Sequence, residues 1–448
     1  MMENELFEKT PVHKAYFTLA LPVVFSMVIS VIYNMVDTYF IAGTGNTMLV
    51  AGVSIGVPVF TFMVALGDIF GLGGSSLVSR LFGEKRDEEG KRISAFCFYA
   101  ALVMGVVVTA VMLLFQKNIL TLLGADADTY QYAADYYKWL VIGAPLIILS
   151  FTPNNILRTE GHARASMVGT VMGSVLNIIL DPVFIFGLNM GAAGAAIATV
   201  LGYVATDSFY LWFLCKKSKK LSVQFKDAKI ERAFIMQILV IGIPASITNL
   251  MQSLGIALTN RYLLLYGSDK VAAMGIAIRV NLIAVLVLVG FAFGGQSLIG
   301  YNYGAKNYKR LKQVLRFAYL FEIAIAGALT TVICLLAPAL IRIFMEEEQI
   351  VVMGTRMLRY QQIGMIFIAV VLVSTSTFQA AGKAFGAFLL SVSRQGVLFA
   401  AVIYCANRLC GYTGVLASQA ISDLLTAVLA VVLYMGMVRK IHGWNVKE

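Results

Sequence analysis

The sequence predicts an all-α polytopic membrane protein, with twelve transmembrane helices in two six-helix bundles related by a parallel repeat. Three observations predict this. Of the 448 residues, 59% are hydrophobic and 13% charged, whereas a soluble domain carries about 25% charged residues; mean hydropathy is +0.81. Apolar runs repeatedly reach the roughly 20 residues that span a bilayer. Glycine and proline motifs recur at a nearly constant offset.

Twelve spans are expected, at about 15–41, 49–78, 93–115, 131–157, 166–187, 191–214, 234–264, 271–299, 317–341, 356–380, 386–407 and 411–438. The first follows a polar, rather acidic stretch, Met1 to Lys14, that does not resemble a cleaved signal peptide. It carries Leu21-Pro22 and then Tyr33-Asn34-Met35-Val36-Asp37-Thr38. The second ends in a glycine-rich stretch running through Gly73-Gly74-Ser75-Ser76 to Gly83. The fourth carries Pro153-Asn154-Asn155, and Pro153 is expected to bend it. The fifth carries Asn177 and Asp181, four apart and therefore on one helical face, followed by Pro182, which removes a backbone donor. The sixth begins after closely spaced glycines at 187, 191 and 194, which permit tight helix contact. The seventh opens the second half with Ile243-Pro244. Arg279 lies in the eighth, Glu322 in the ninth, Arg394 in the eleventh and Asp423 in the twelfth.

Most of the 35 lysines and arginines fall in the loops after the even-numbered spans and in the two tails, including the tail from Arg439. That asymmetry predicts cytoplasmic termini. Acidic residues in the opposite loops, such as Asp126, Asp269 and Glu346 to Glu348, do not alter it. The net charge of +11 is a topological signal here and implies no nucleic-acid partner.

The halves repeat each other. Gly83 and Gly304 are 221 residues apart, as are Gly161 and Gly382, while Gly194 and Gly414 are 220 apart. Two homologous lobes, 1–220 and 221–448, follow. Each has an even number of spans, so both start on the same side of the membrane, and a cleft between them permits rocking.

Chemistry is sought in the intramembrane polar residues, which lipid does not host cheaply. Asp37 and Asp181 are expected at similar depth in the first lobe, with Asn34, Asn177 and Asn155 near them. Such a pair can take up and release a proton. Equally, Asp37, Asp181 and the Asn177 carbonyl offer oxygen ligands to Na+. Tyr33, Met35 and Phe184 are candidate walls of a substrate cavity, since aromatic faces accept flat cations and methionine adapts to varied shapes. Asp68, Arg279 and Arg394 are structural or gating charges, with Asp68 placed either to gate or to pair with Arg279. The three histidines and five cysteines form no metal or catalytic constellation, and no enzyme is expected. No cofactor is expected beyond the coupling ion.

These residues together resemble the multidrug and toxic compound extrusion family, in its DinF-like and MepA-like bacterial branch. The resemblance rests on Pro22 followed by Asn34-x-x-Asp37-x-x-Phe40-Ile41, the Gly83 turn, Asn155-x-x-Arg158-x-x-Gly161, Asn177-x-x-x-Asp181-Pro182, and the Gly294 to Gly304 copy of the second-span end. It implies two lobes around a V-shaped cavity. It also implies export of amphipathic, mostly cationic organic compounds by antiport against inward H+ or Na+. A monomer in the bacterial cytoplasmic membrane is expected, with small organic substrates and the lipid bilayer as its partners. Some branches carry acids on helices seven and ten; the runs Asn249 to Asn260 and Phe367 to Ala380 have none here. Alternatives are a lipid-linked oligosaccharide flippase, which would want an arginine-lined cavity, and a non-transporting bundle.

Overall fold

The computed structural model describes residues 5–345 and 347–445, with side chains for all of these except 249–250 and 438–445. Glu346, the Asn249 side chain and the basic tail from Arg439 lie outside this description.

The described chain is helical throughout. A short α1 (Glu5–Glu8) precedes α2 (Val12–Ala42), α3 (Thr47–Gly83) and α4 (Asp87–Leu114). Next come α5 (Gln116–Leu122), α6 (Tyr130–Ile142), α7 (Ala144–Ile156), α8 (Ala163–Pro182) and α9 (Gly191–Lys216). The second half contains α10 (Arg232–Leu264), α11 (Ser268–Gly294), α12 (Gln296–Gly304), α13 (Tyr308–Arg342), α14 (Glu348–Ile363), α15 (Met365–Ala380), α16 (Ala384–Gln395) and α17 (Val397–Asn445). Among the described residues nine helical runs are long and apolar enough to cross a membrane, or eleven when each of two bent pairs counts as one crossing.

The breaks have local causes. The expected fourth span bends by 51° between α6 and the run Ala144–Glu160. The bend lies at Gly143 and not at Pro153, which sits inside α7. Pro145 starts α7 without a backbone donor, and a Cβ on Gly143 would lie 2.2 Å from Val200. The expected tenth span bends by 44° at Gly364, between α14 and α15. The eleventh is interrupted at Gly396 (φ −111°, ψ −111°). Within α17 the backbone leaves helical geometry at Gly411 (φ 56°, ψ −135°), a conformation that glycine tolerates. Pro182 closes α8 into a wider π turn over Val183–Gly187.

Packing follows the repeat. In the first half α2 lies on α8, α8 on α9, and α3 on α4 and α7; in the second, α10 lies on α16, α16 on α17, and α11 on α14. Across the halves α3 packs on α10 and α2 on α11, so the first helix of each half meets the second of the other.

The contacts between halves concentrate at one end, and glycine makes them possible. A Cβ on Gly83 would lie 2.1 Å from the Tyr301 carbonyl oxygen, and one on Gly304 would lie 2.1 Å from the Arg80 carbonyl oxygen. The pairs Gly73 with Ile238, Gly242 with Ile69, Gly294 with Ala20 and Gly290 with Val24 are also close, at 2.0–2.8 Å. Farther along the same helices Ile32, Met35, Tyr39, Val57, Leu254 and Ile283 are exposed.

The amino-terminal segment crosses this closed end. Phe7 is buried and stacks on Tyr301 at 4.9 Å. Arg310 Nε donates to the Phe7 carbonyl at 2.7 Å. Glu8 pairs with Lys85 of the first half and accepts from the Tyr301 hydroxyl of the second at 2.7 Å. The Lys85 ammonium, and then Tyr301, hold the Glu8 carboxyl below its ordinary range.

Because Gly83 faces a carbonyl oxygen, Gly83→Ala forces the halves apart locally and should cost about 1–3 kcal/mol. The expected outcome is a lower melting temperature, with faster maleimide labelling of a cysteine at buried Ser76. Labelling that stays as slow as with Gly83 intact would show that the seam tolerates the methyl.

Candidate functional site

The helical spacing read from the sequence is what builds the site. Asn177 and Asp181 lie on one face of α8, both buried, at 2% and 0% exposure. The Asn177 amide nitrogen reaches Asp181 in either orientation of the amide, at 3.4 Å to Oδ1 or, with the amide turned, at 3.2 Å to Oδ2. On its other side the amide meets Thr199 of α9. From α2, Asp37 brings its carboxyl within hydrogen-bonding reach of Asp181. Asp37 Oδ1 is buried and has no hydrogen-bond partner. Neither acid has an ion pair among the described residues.

Tyr33 stands one turn before Asp37, close to Tyr203, Asp37, Tyr136 and Asp181. It forms part of the wall of a cavity of about 120 Å3 between α2, α7, α8 and α9, large enough for several waters. Ser30, Ser150, Asn154, Ser174, Asn177 and Thr206 give the wall its polar character, and no lysine or arginine lines it. The two carboxyls adjoin this cavity through Tyr33 and Asn177.

The remaining sequence-predicted residues are distributed differently. Asn34 is exposed and donates to the Ser30 carbonyl at 2.7 Å, on its own helix. Asn155 is buried and accepts from Arg158 Nη2 at 2.9 Å. Its neighbour Asn154 is the one that lines the cavity, and it accepts from the same guanidinium at 3.3 Å. Met35 is 49% exposed and Phe184 half-buried, and neither lines the cavity. Asp68 acts on Arg158, so its charge is answered within the first half, whereas Arg279 is exposed and has no ion pair among the described residues. Arg394 pairs with Asp423, Nε to Oδ1 at 3.1 Å.

Asp207 is a further intramembrane acid. It lies on α9, is 4% exposed and sits beside the Ser150 hydroxyl, yet neither carboxyl oxygen has a partner at hydrogen-bond geometry. The signal that points to it is its position one turn after the cavity-lining Tyr203.

The oxygen set of Asp37, Asp181, Asn177 and Thr199 suits a hard cation or a proton.

A family model described as MatE matches residues 22–183 and again 244–405. The chain belongs to the MatE family. It is a membrane transport protein of this family and not an enzyme. The two matches are offset by 222 residues. The chain is 30% identical over 432 residues to the multidrug export protein MepA of Staphylococcus haemolyticus, covering 96% of this chain and 95% of that protein. It is 31% identical over 427 residues to the MepA of Staphylococcus aureus, covering 95% and 94%. Among solved structures it superposes on a MATE transporter in an outward-facing conformation with a TM-score of 0.93 at 26% identity, covering 98% of this chain and 99% of that one. A MATE structure described as straight gives 0.94, covering 99% of each chain, and one described as bent gives 0.93, covering 100% of this chain and 99% of the other, both at 26% identity.

The hydrogen-bonding pattern separates two roles in this MatE site. Asp207→Asn removes a buried carboxylate that has no partner, so its melting temperature should be unchanged or higher. Arg158→Met strands the Asn155 amide oxygen, while that of Asn154 keeps the Ser166 hydroxyl, and should lose about 1–3 kcal/mol. Thermal melts of the two variants in one detergent give the comparison; a large loss for Asp207→Asn would reveal a partner for that carboxylate.

Proposed function

We propose that this MatE-family chain exports amphipathic, mostly cationic organic compounds, exchanging them for an inward-moving H+ or Na+ at Asp181 and Asp37. The observation that carries this reading is the contact between two carboxyls with no basic partner, beside a cavity without basic residues. Like charges this close repel, and a proton or a cation relieves them. A site that must borrow its counter-charge from water changes energy when the charge arrives or leaves. That change is what couples an ion to a drug, provided each binds one conformation better than the other. Relatives named as multidrug exporters support the substrate class. The flippase alternative wants cationic walls, and the first-half cavity has none.

The proposed architecture is twelve crossings in two lobes, 1–220 and 221–448. Splitting the run Ala384–Met437 at Gly411 supports the twelfth crossing, because 54 unbroken helical residues would extend about 80 Å. The basic loops after Gly83 and Gly304 lie at the end where the halves touch, which supports a cytoplasmic closed end, cytoplasmic termini and a cleft open to the outside. In this reading the protein sits in the bacterial cytoplasmic membrane as a monomer. Drug binds in the cleft between lobes, and ion entry at Asp181, with Asp37 assisting, repacks α2 against α8.

Asp181→Asn keeps the shape and removes the charge. In proteoliposomes with pH and sodium gradients imposed separately, drug-driven ion movement should fall roughly tenfold or more, equivalent to losing about 1.4 kcal/mol of coupling. Whichever gradient drives the unsubstituted protein identifies the ion. Unchanged coupled transport would remove Asp181 from the mechanism.

A further inference from the structure

The second half contains its own cavity, of about 100 Å3, lined in part by Gln252, Gly255, Thr259, Asn281, Arg394 and Gln419. The repeat relates it to the first-half cavity residue by residue. At the 222-residue offset of the two family matches, Ser30, Tyr33 and Asp37 fall on Gln252, Gly255 and Thr259. The offset of 221 that joins Gly161 to Gly382 carries Gly173, in the wall of the first cavity, onto Arg394 in the wall of the second. The offset of 220 that joins Gly194 to Gly414 carries Tyr203 onto Asp423.

The charges are therefore arranged differently at matching places. The Asp37–Asp181 pair of the first half has no basic partner, and no basic residue lines the cavity beside it. In the second half a threonine replaces the acid of the first helix, an arginine stands in the cavity wall, and the acid stands at 423. Arg394 Nε donates to Asp423 Oδ1 at 3.1 Å, and Gln419 Nε2 donates to the same oxygen at 3.1 Å. The Ser422 hydroxyl anchors the Arg394 carbonyl at 3.0 Å. Asp423 is fully buried, and its Oδ2 has no partner. Gly364 leaves it room, since a Cβ there would lie 2.8 Å from that oxygen.

We propose that Arg394 is a tethered counter-cation, filling in the second half the place where the first half takes a cation from solution, and that it thereby confines ion coupling to the Asp37–Asp181 site. The coupling clause rests on the function proposed above; the tethered cation does not. A buried acid either keeps its proton or is answered by a positive charge. A guanidinium on the chain supplies Asp423 with a positive charge from within the protein and cannot be exchanged for an ion across the membrane. Arg394 is thus a positioning residue for ion stoichiometry, acting through Asp423.

Chemical rescue tests it. Arg394→Ala deletes the tethered charge and should leave Asp423 in need of a free cation. Millimolar guanidinium should then raise the melting temperature of the variant by several degrees over the same concentration of choline. The unsubstituted protein, Arg394→Lys and the uncharged double variant Arg394→Ala/Asp423→Asn should not respond. Should Arg394→Ala not survive purification in plain buffer, its yield from membranes solubilised in guanidinium against choline is the readout. Equal melting temperatures or equal yields in the two cations overturn the proposal. The rescue must persist when Asp181→Asn is added, because it belongs to the other half; its loss there would place the response in the first half and also overturn it. Persistence of the rescue alongside unimpaired coupled transport in Asp181→Asn alone would sink the first-half reading and leave the tethered cation standing.

Discussion

A carboxylate at membrane depth has to be answered by something, and much of this molecule is the set of answers. Water would serve outside the membrane, but hydrocarbon supplies none. Asp68 lies in the field of Arg158, and Asp423 has Arg394. Asp181 has an amide and a second acid. These are unequal solutions. A guanidinium closes the account permanently, whereas an amide and another acid leave it open to an ion. The open account is the useful one for a transporter, because its energy depends on what arrives from solution.

The position of that site depends on how the halves meet. Six glycines bring backbones of the two halves into direct contact at one end, and two of the closest approaches are reciprocal: Gly83 on the Tyr301 carbonyl and Gly304 on the Arg80 carbonyl. Such a seam is set by sterics, with little room for intermediate separations. Asp37 lies on α2 well beyond the seam, on the part of the helix that also exposes Met35 and Tyr39. A change in how α2 lies on α8 at that height moves one carboxyl against the other and leaves the glycine contacts near Ala20 in place. The first lobe can therefore respond to an ion without immediately breaking the closed end.

Much of this was readable from the residues. The i,i+4 spacing of Asn177 and Asp181 put both on one helix face, and burial of that face follows from the apolar run around it. The repeat was readable because glycine at a backbone contact cannot be replaced cheaply, so both copies kept Gly83 and Gly304. Other features were not readable. Asn34 shares a helical face with Asp37 on a projection, but it is satisfied by the Ser30 carbonyl on its own helix and turns away. Pro153 looked like the bend, yet it lies inside α7 near its end, and the chain bends at Gly143, where a side chain would meet Val200 and where Pro145 opens the next helix. Asp68 acts electrostatically on Arg158, a relation that depends on rotation about each helix axis, which no linear spacing reveals.

Duplication explains why the halves share a seam but differ in their interiors. A substitution at a seam glycine acts on both halves at once, since each copy packs on its partner's backbone. An interior position faces only its own lobe and can drift independently. Arg394 lines the second-half cavity, whereas no basic residue lines the first, so one lobe carries its own cation and the other does not. If both lobes kept open acids, each cycle would need ions at two places, and a rocking motion would have to satisfy both before the lobes could move. Filling one lobe leaves a single ion-dependent step. The buried pair of Arg394 and Asp423 is best understood in these terms, because a buried ion pair is a poor source of stability compared with an apolar pair of the same volume.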